Sequence, residues 1–202
     1  MRFHKVLLER EPARHGISRE QPPVKPELAR TAWTVIAHSQ FDLENFVEAE
    51  SAYYSLRGFT PADDATANTE IKDRIASSIY KQGEKARDAG DLETAVTHFR
   101  RLGQAVPDSS IRATAEYDAA AAYMSLQQWK LAIAILERWR HDNPAHELAA
   151  DATRKLAVLY RESNQPLLAA KEFSRVAETD SDPALQREAA WTAASLYQGA
   201  KQ

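Results

Sequence analysis

The chain has 202 residues, 44% of them hydrophobic and 27% charged, which is enough to bury a core without staples and too apolar for a disordered chain. It holds no cysteine, which removes structural disulfides, thiolate chemistry and cysteine-ligated metal sites, and only 6 glycines, too few for a phosphate-cradling or all-β protein. A formal net charge of −3 gives no global attraction for nucleic acid or anionic lipid.

Residues 1–26 carry Pro12, Pro22, Pro23 and Pro26 with an excess of Lys and Arg over Asp and Glu, and read as a mildly basic, irregular lead-in with at most one short helix at 3–10. Val6, Leu7 and Leu8 run straight into Glu9, Arg10 and Glu11, so no secretory signal core forms. Nowhere does the chain reach the roughly 18 to 20 consecutive apolar residues of a membrane-spanning helix.

From residue 27 onward the sequence repeats. Small residues Gly83, Ala120, Ala157 and Ala194 stand 37 apart, with Ala37 at a longer step before them. Tyr123, Tyr160 and Tyr197 lie three residues after the last three. A second set of columns holds Ala49, Ala95, Ala132 and Ala169, then Tyr53, Phe99, Leu136 and Phe173 four residues on, then Leu56, Leu102, Trp139 and Val176. Spacings of three and four put each set on one face of a helix, so each repeat predicts two antiparallel helices whose small residues let the backbones approach. Turn and cap residues lie between the halves: Asp42 to Asn45, Ala89 to Asp91, Gln127 and Gln128, and Asn164 to Pro166. Pro61, Pro107 and Pro144 close the first three repeats, and Pro183 comes two residues late in the fourth.

The longer first step is an insert in which Ile71, Ile75 and Ile79 recur at i, i+4, which predicts one long helix over 65–89 rather than a loop. Residues 187–201 match only the first half of a fifth repeat. Such a half is expected either as a cap or as the start of another hairpin in a longer protein, and the apolar Trp191, Leu196 and Tyr197 favour the second.

These columns resemble the tetratricopeptide repeat (TPR), over spans 30–63, 76–109, 113–146 and 150–183 plus the terminal helix. Trp33, Ile36 and Ala37 match the opening triplet in the first copy, and Gly90, Leu92, Ala95, Phe99 and Pro107 match in the second. The resemblance implies an all-α fold, a right-handed superhelix of antiparallel helix hairpins over 27–202, with a concave groove lined by the first helix of each pair. The longer step is also similar to that of repeat proteins of the Gram-negative cell envelope, of the Tol-Pal-associated and outer-membrane assembly types, which implies a periplasmic scaffold, with a cytoplasmic location as the alternative.

The same resemblance places groove residues three before, one after and four after each small position. The candidates are Tyr80, Glu84, Arg87, Tyr117, Met124, Arg154, Arg161, Trp191 and Gln198. Tyr, Trp and Arg anchor interfaces, so a peptide or partner helix, possessing carboxylates for the arginines, suits the groove. The alternative is that Tyr80, Tyr117 and Trp191 fill gaps between neighbouring first helices and that the arginines are ordinary solvated charges. The array's exposed ends would also allow homo-oligomers.

No catalytic motif, phosphate loop or dinucleotide fingerprint is present, and no cofactor or metal is expected. His141 and His146 flank Pro144 without a third ligand, which suits capping better than zinc. Glu84, Glu116, Glu162 and Glu188 have no partner in sequence that marks an acid/base pair. The expected function is a non-catalytic protein-interaction scaffold in a multiprotein complex. The alternatives are a substrate-positioning domain of a larger enzyme and, behind it, an RNA-reading helical repeat, which the negative charge and the missing polar code oppose.

Overall fold

The computed structural model describes residues 25–200, so the short helix expected at 3–10 lies outside the described residues. Among the described residues there are nine α-helices and no strand: α1 (Pro26–Asp42), α2 (Phe46–Gly58), α3 (Ala65–Asp88), α4 (Leu92–Ala105), α5 (Arg112–Ser125), α6 (Trp129–Asp142), α7 (Ala149–Glu162), α8 (Pro166–Thr179) and α9 (Pro183–Gly199). Each packs against its neighbours in sequence, and the first helices α3 and α5 also touch. The protein is an all-α solenoid of TPR-like hairpins.

The turns inside the four hairpins are one structure repeated. Seven residues after each small position the chain takes a left-handed conformation, at Glu44 (φ 59°), Gly90 (φ 82°), Gln127 (φ 57°) and Asn164 (φ 57°). The next amide then reaches back five residues in each case: Asn45 to the Gln40 carbonyl, Asp91 to Ala86, Gln128 to Tyr123 and Gln165 to Tyr160, all at 2.8–2.9 Å. This is the double-bonded C-terminal cap that satisfies otherwise orphaned carbonyls. Glycine occupies only one of the four positions, so the other three turns hold an L-residue where glycine is favoured.

Helix starts follow the sequence signals. Asp64, Asp91 and Asp182 accept amides of Ala67, Thr94 and Ala184, and Pro26, Pro166 and Pro183 begin their helices, where a missing N–H costs nothing. Pro183 therefore opens α9 instead of closing the fourth hairpin, and α9 begins there rather than at Arg187. The insert is helical as its isoleucine spacing predicts: α3 has 24 residues where α4 to α8 have 14 each, and Ile71, Ile75 and Ile79 are all buried.

Ala37, Ala120 and Ala157 are fully buried, and Gly83 is buried against the Phe99 ring of α4. Two core clusters run along the array, one from Ala37 to Ala119 and one from Val96 to Ala169, and Ile135 packs against both. Trp139, Tyr53, Phe99, Ile75 and Ile79 are its largest fully enclosed side chains. Each contributes roughly 1.5–3 kcal/mol by burial. Trp139 also donates its indole N–H to the Ala113 carbonyl at 2.6 Å, tying α6 to α5.

Candidate functional site

The first helices lie side by side, held by side chains three residues before the small positions. Tyr80 on α3 donates its hydroxyl to Asp118 on α5 at 2.6 Å. Tyr117 on α5 donates to Asp151 on α7. Arg154 on α7 reaches Asp180, beyond α8, at 2.7 Å, and Asp151 at 3.2 Å. Tyr80 and Tyr117 thus each reach forward to a carboxylate of the following first helix, while Arg154 reaches the end of α8 in its own hairpin. Burial and the adjoining Asp118 push the Tyr80 phenol above its ordinary range, so it stays a donor.

The tyrosines three residues after the small positions reach backward instead. Arg100 on α4 donates to the Tyr123 hydroxyl at 3.2 Å, and the Tyr160 hydroxyl donates to Glu137 on α6. On the other side of the array, ion pairs join second helices. Arg101 grips the buried Glu50 at 2.7 and 2.8 Å across α4 and α2, and Arg140 grips the buried Glu172 across α6 and α8. Gln82 adds a 2.7 Å bond to Glu50. Two-pronged guanidinium pairs of this kind fix the angle between hairpins as well as their spacing.

The sequence-predicted groove residues therefore divide. Tyr117 is buried, and Tyr80 and Arg154 are half-buried, with their polar tips on Asp118, Asp151 and Asp180. Tyr80 and Tyr117 stitch first helices together, as in the gap-filling alternative, while Arg154 ties α7 to the end of α8. Glu84 and Arg87 are half-buried, Glu84 against Lys81 at 2.7 Å and Arg87 at 3.6 Å from both Glu84 and Asp118. Met124 is half-buried, while Arg161 and Gln198 are exposed; Arg161 lies beside Glu162 and over the Phe173 ring. Trp191 is 77% exposed, because it holds the forward-reaching position of α9 and among the described residues no further hairpin follows. Ala194 is exposed for the same reason, unlike the four small residues before it.

Sequence reasoning missed the carboxylate half of these links. Asp118 and Asp151 lie 38 and 34 residues beyond their tyrosines, a step that varies and leaves no column to read. It also missed Lys155, whose ammonium lies over the Tyr117 ring and 3.3 Å from Asp151.

Glu116 and Glu162 are in ordinary ion pairs with Arg112 and Arg161. The His146 ring accepts the Leu148 amide at 3.1 Å and packs edge-on against Trp139, which is the capping role expected from its place beside Pro144. Among the described residues no group of three or more His, Asp or Glu could hold a metal ion, and no helix is long and apolar enough to cross a membrane.

Residues 72–199, well over half of the chain, match the family YfiO, described as outer membrane lipoprotein. The chain belongs to this family. The YfiO family is TPR-like, in agreement with both the repeat and the cell-envelope resemblance of the columns, and it supports a protein-interaction scaffold. Solved structures with similar shapes include a Podosopora anserina putative kinesin light chain of nearly identical TPR-like repeats, at 15% identity and TM-score 0.47 over 89% of this chain and 90% of that one. The MamA protein is similar at 17% identity and TM-score 0.47 over 85% and 92%. The APC/C hetero-tetramer Cut9-Hcn1 is similar at 18% identity and TM-score 0.47, over 80% of this chain and 36% of that one. No curated protein matches the chain significantly.

Proposed function

We propose that this YfiO-family chain is a non-catalytic scaffold whose first helices, α1, α3, α5, α7 and α9, present a concave groove to a peptide or partner helix during assembly of a multiprotein complex. In this reading residues 1–26 are a lead-in and 27–202 the array, and the family's description as outer membrane lipoprotein supports a place at the cell envelope.

One observation carries the reading. The residues one and four positions after the small column, from His38 and Phe41 through Glu84, Arg87, Ala121, Met124, Val158 and Arg161 to Ser195 and Gln198, keep partial or full exposure in every unit. A row of accessible side chains on successive rigid helices suits an extended ligand. Because Arg154 and Arg87 are each held by two or more carboxylates of their own chain, recognition of an acidic partner falls to the exposed Arg161.

A photo-crosslinking residue at position 124 or 161, on the groove side, is expected to capture one and the same partner in cells. At exposed Thr97 or Lys171, on the second helices, it should capture nothing. Capture of that partner from positions 97 and 171 in place of 124 and 161 would move the binding surface to the other side of the array.

A further inference from the structure

The links at the α3–α5 and α5–α7 junctions share one arrangement, which the α1–α3 junction lacks. Twice, a tyrosine hydroxyl and a cation share a single carboxylate. Tyr80 and Arg87 meet on the same oxygen of Asp118, at 2.6 and 3.6 Å, and Tyr117 and Lys155 meet on the same oxygen of Asp151. At the equivalent place in the first hairpin stands Thr34, too short to cross the gap, with its hydroxyl turned back to the Arg30 carbonyl at 2.9 Å. A cavity of about 150 Å³ remains between α1, α2 and α3, lined among others by Thr34, His38, Tyr53, Glu70 and Arg74.

Two groups in this cavity lack partners. Tyr53 is 1% exposed, and its hydroxyl is the buried side-chain polar atom without a hydrogen bond among the described residues. Buried hydroxyls are nearly always bonded, so an orphan of this kind marks a missing partner. Arg74 lies over the Phe41 ring at 5.7 Å, and among the described residues no carboxylate stands within ion-pairing distance of it. Burial pushes the Tyr53 phenol upward, against a smaller opposing pull from Arg74, which keeps its proton in place for donation. Arg30, which also borders the cavity, is already paired with Asp64 at 2.7 Å.

We infer that this cavity is a carboxylate-binding site, in which the Tyr53 hydroxyl and the Arg74 guanidinium receive one carboxylate as Tyr80 and Arg87 receive that of Asp118. The volume admits a short carboxylic acid or one acidic side chain, or roughly five waters at their liquid volume. The carboxylate comes from a free small acid or from an acidic residue of the groove partner; only the second source rests on the groove reading. Arg30, Thr34, His38 and Tyr53 precede the family-matched residues 72–199 while Arg74 lies within them, so the site straddles the first hairpin and α3.

Acetate titrated into the full chain, with chloride held at matched ionic strength, tests the site by the backbone amide resonances of residues 34, 38, 53 and 74. Saturable shifts at these amides are expected. They should weaken about tenfold or more in Tyr53→Phe and Arg74→Gln, as for loss of a hydrogen bond to a charged group. Thr34→Tyr, which fills the gap as in later hairpins, should abolish them. Glu70→Gln removes a like charge at the rim and should tighten binding. Absence of saturable shifts, equal shifts in Tyr53→Phe, or loss of binding in Glu70→Gln would overturn the inference, the first two leaving a water-filled cavity and the third making Glu70 the native partner. For the source, the partner captured from position 124 is tested with its acidic residues changed to amides. Reduced capture that acetate also competes assigns the site to the partner's side chain, and unchanged capture assigns it to a free acid. Acetate binding in a chain that captures no partner would uphold the site while the groove reading fails.

Discussion

The ring of Phe99 occupies the space in which a side chain on Gly83 would stand: a Cβ at Gly83 would meet ring atoms Cε1 and Cδ1 at 2.6 and 2.7 Å. Phe99 is fully buried and cannot swing away. Gly83→Ala gains about 1 kcal/mol of helix propensity and loses about 1–3 kcal/mol to overpacking. The 2.6 Å approach to a buried ring puts the loss in the upper part of that range, at about 2–3 kcal/mol, so net destabilisation of about 1–2 kcal/mol is expected in urea unfolding. An unchanged or raised midpoint would mean that α3 and α4 are not in this close contact.

The repeated left-handed turn predicts opposite effects at equivalent positions. Gly90→Ala should destabilise by about 1 kcal/mol, because alanine is strained at φ 82°. Gln127→Gly should stabilise by about 0.5–1 kcal/mol, relieving that strain at φ 57°. Thermal unfolding of the two variants should shift in opposite directions. A fall in both would show that the Gln127 side chain matters more than its backbone.

Glu50 and Arg101 are coupled across hairpins, and Glu50 is the more enclosed partner, with its side chain 10% exposed against 38% for Arg101. Arg101→Met leaves a carboxylate in low dielectric with only Gln82 beside it and should cost about 1–3 kcal/mol, the upper range for buried pairs being reduced by solvent around the guanidinium. Glu50→Gln combined with Arg101→Met should cost less than the sum of the two single changes in a double-mutant cycle. Additivity within error would show that the pair does not form in solution.

Stability should fall on acidification in two stages. Burial first, and the neighbouring Arg101 second, hold the His98 imidazole below its ordinary pKa of 6.5, so the unfolded chain takes up that proton more readily. The contribution of neutral His98 is complete above pH 6.5 and is lost as pH falls through the folded value. Asp64 and Asp180 are held below the ordinary carboxylate value, Asp64 by the Ala67 amide and then Arg30, Asp180 by the Asp182 amide and then Arg154. Their contribution is complete above about pH 4 and lost below it. Calorimetric scans should show both declines, and His98→Gln should remove the upper one alone. An upper decline that persists in His98→Gln would place its origin elsewhere.

The fold was legible because its signals are periodic. Gly83, Ala120 and Ala157 are buried where the small column predicts, and the insert is helical because its isoleucines keep one face. The site was less legible for two physical reasons. The polar links join residues 38, 34 and 26 apart for Tyr80, Tyr117 and Arg154, without fixed period, so Tyr117 and Arg154 look like free groove anchors until Asp151 and Asp180 are placed beside them. A column also says nothing about a missing neighbour: Trp191 occupies the position of Tyr117 yet is largely exposed, and Tyr53 reads as ordinary core although its hydroxyl has no partner.

The registered stacking of hairpins can be tested directly, because the chain has no native cysteine to interfere. Cysteine pairs replacing Tyr80 with Asp118, and Tyr117 with Asp151, should each be bridged within the molecule by a short two-headed thiol reagent under native conditions. The mismatched pair at 80 and 151, which skips a hairpin, should remain open. Bridging of the mismatched pair, or failure of both matched ones in folded protein, would contradict the stacked array on which the groove depends.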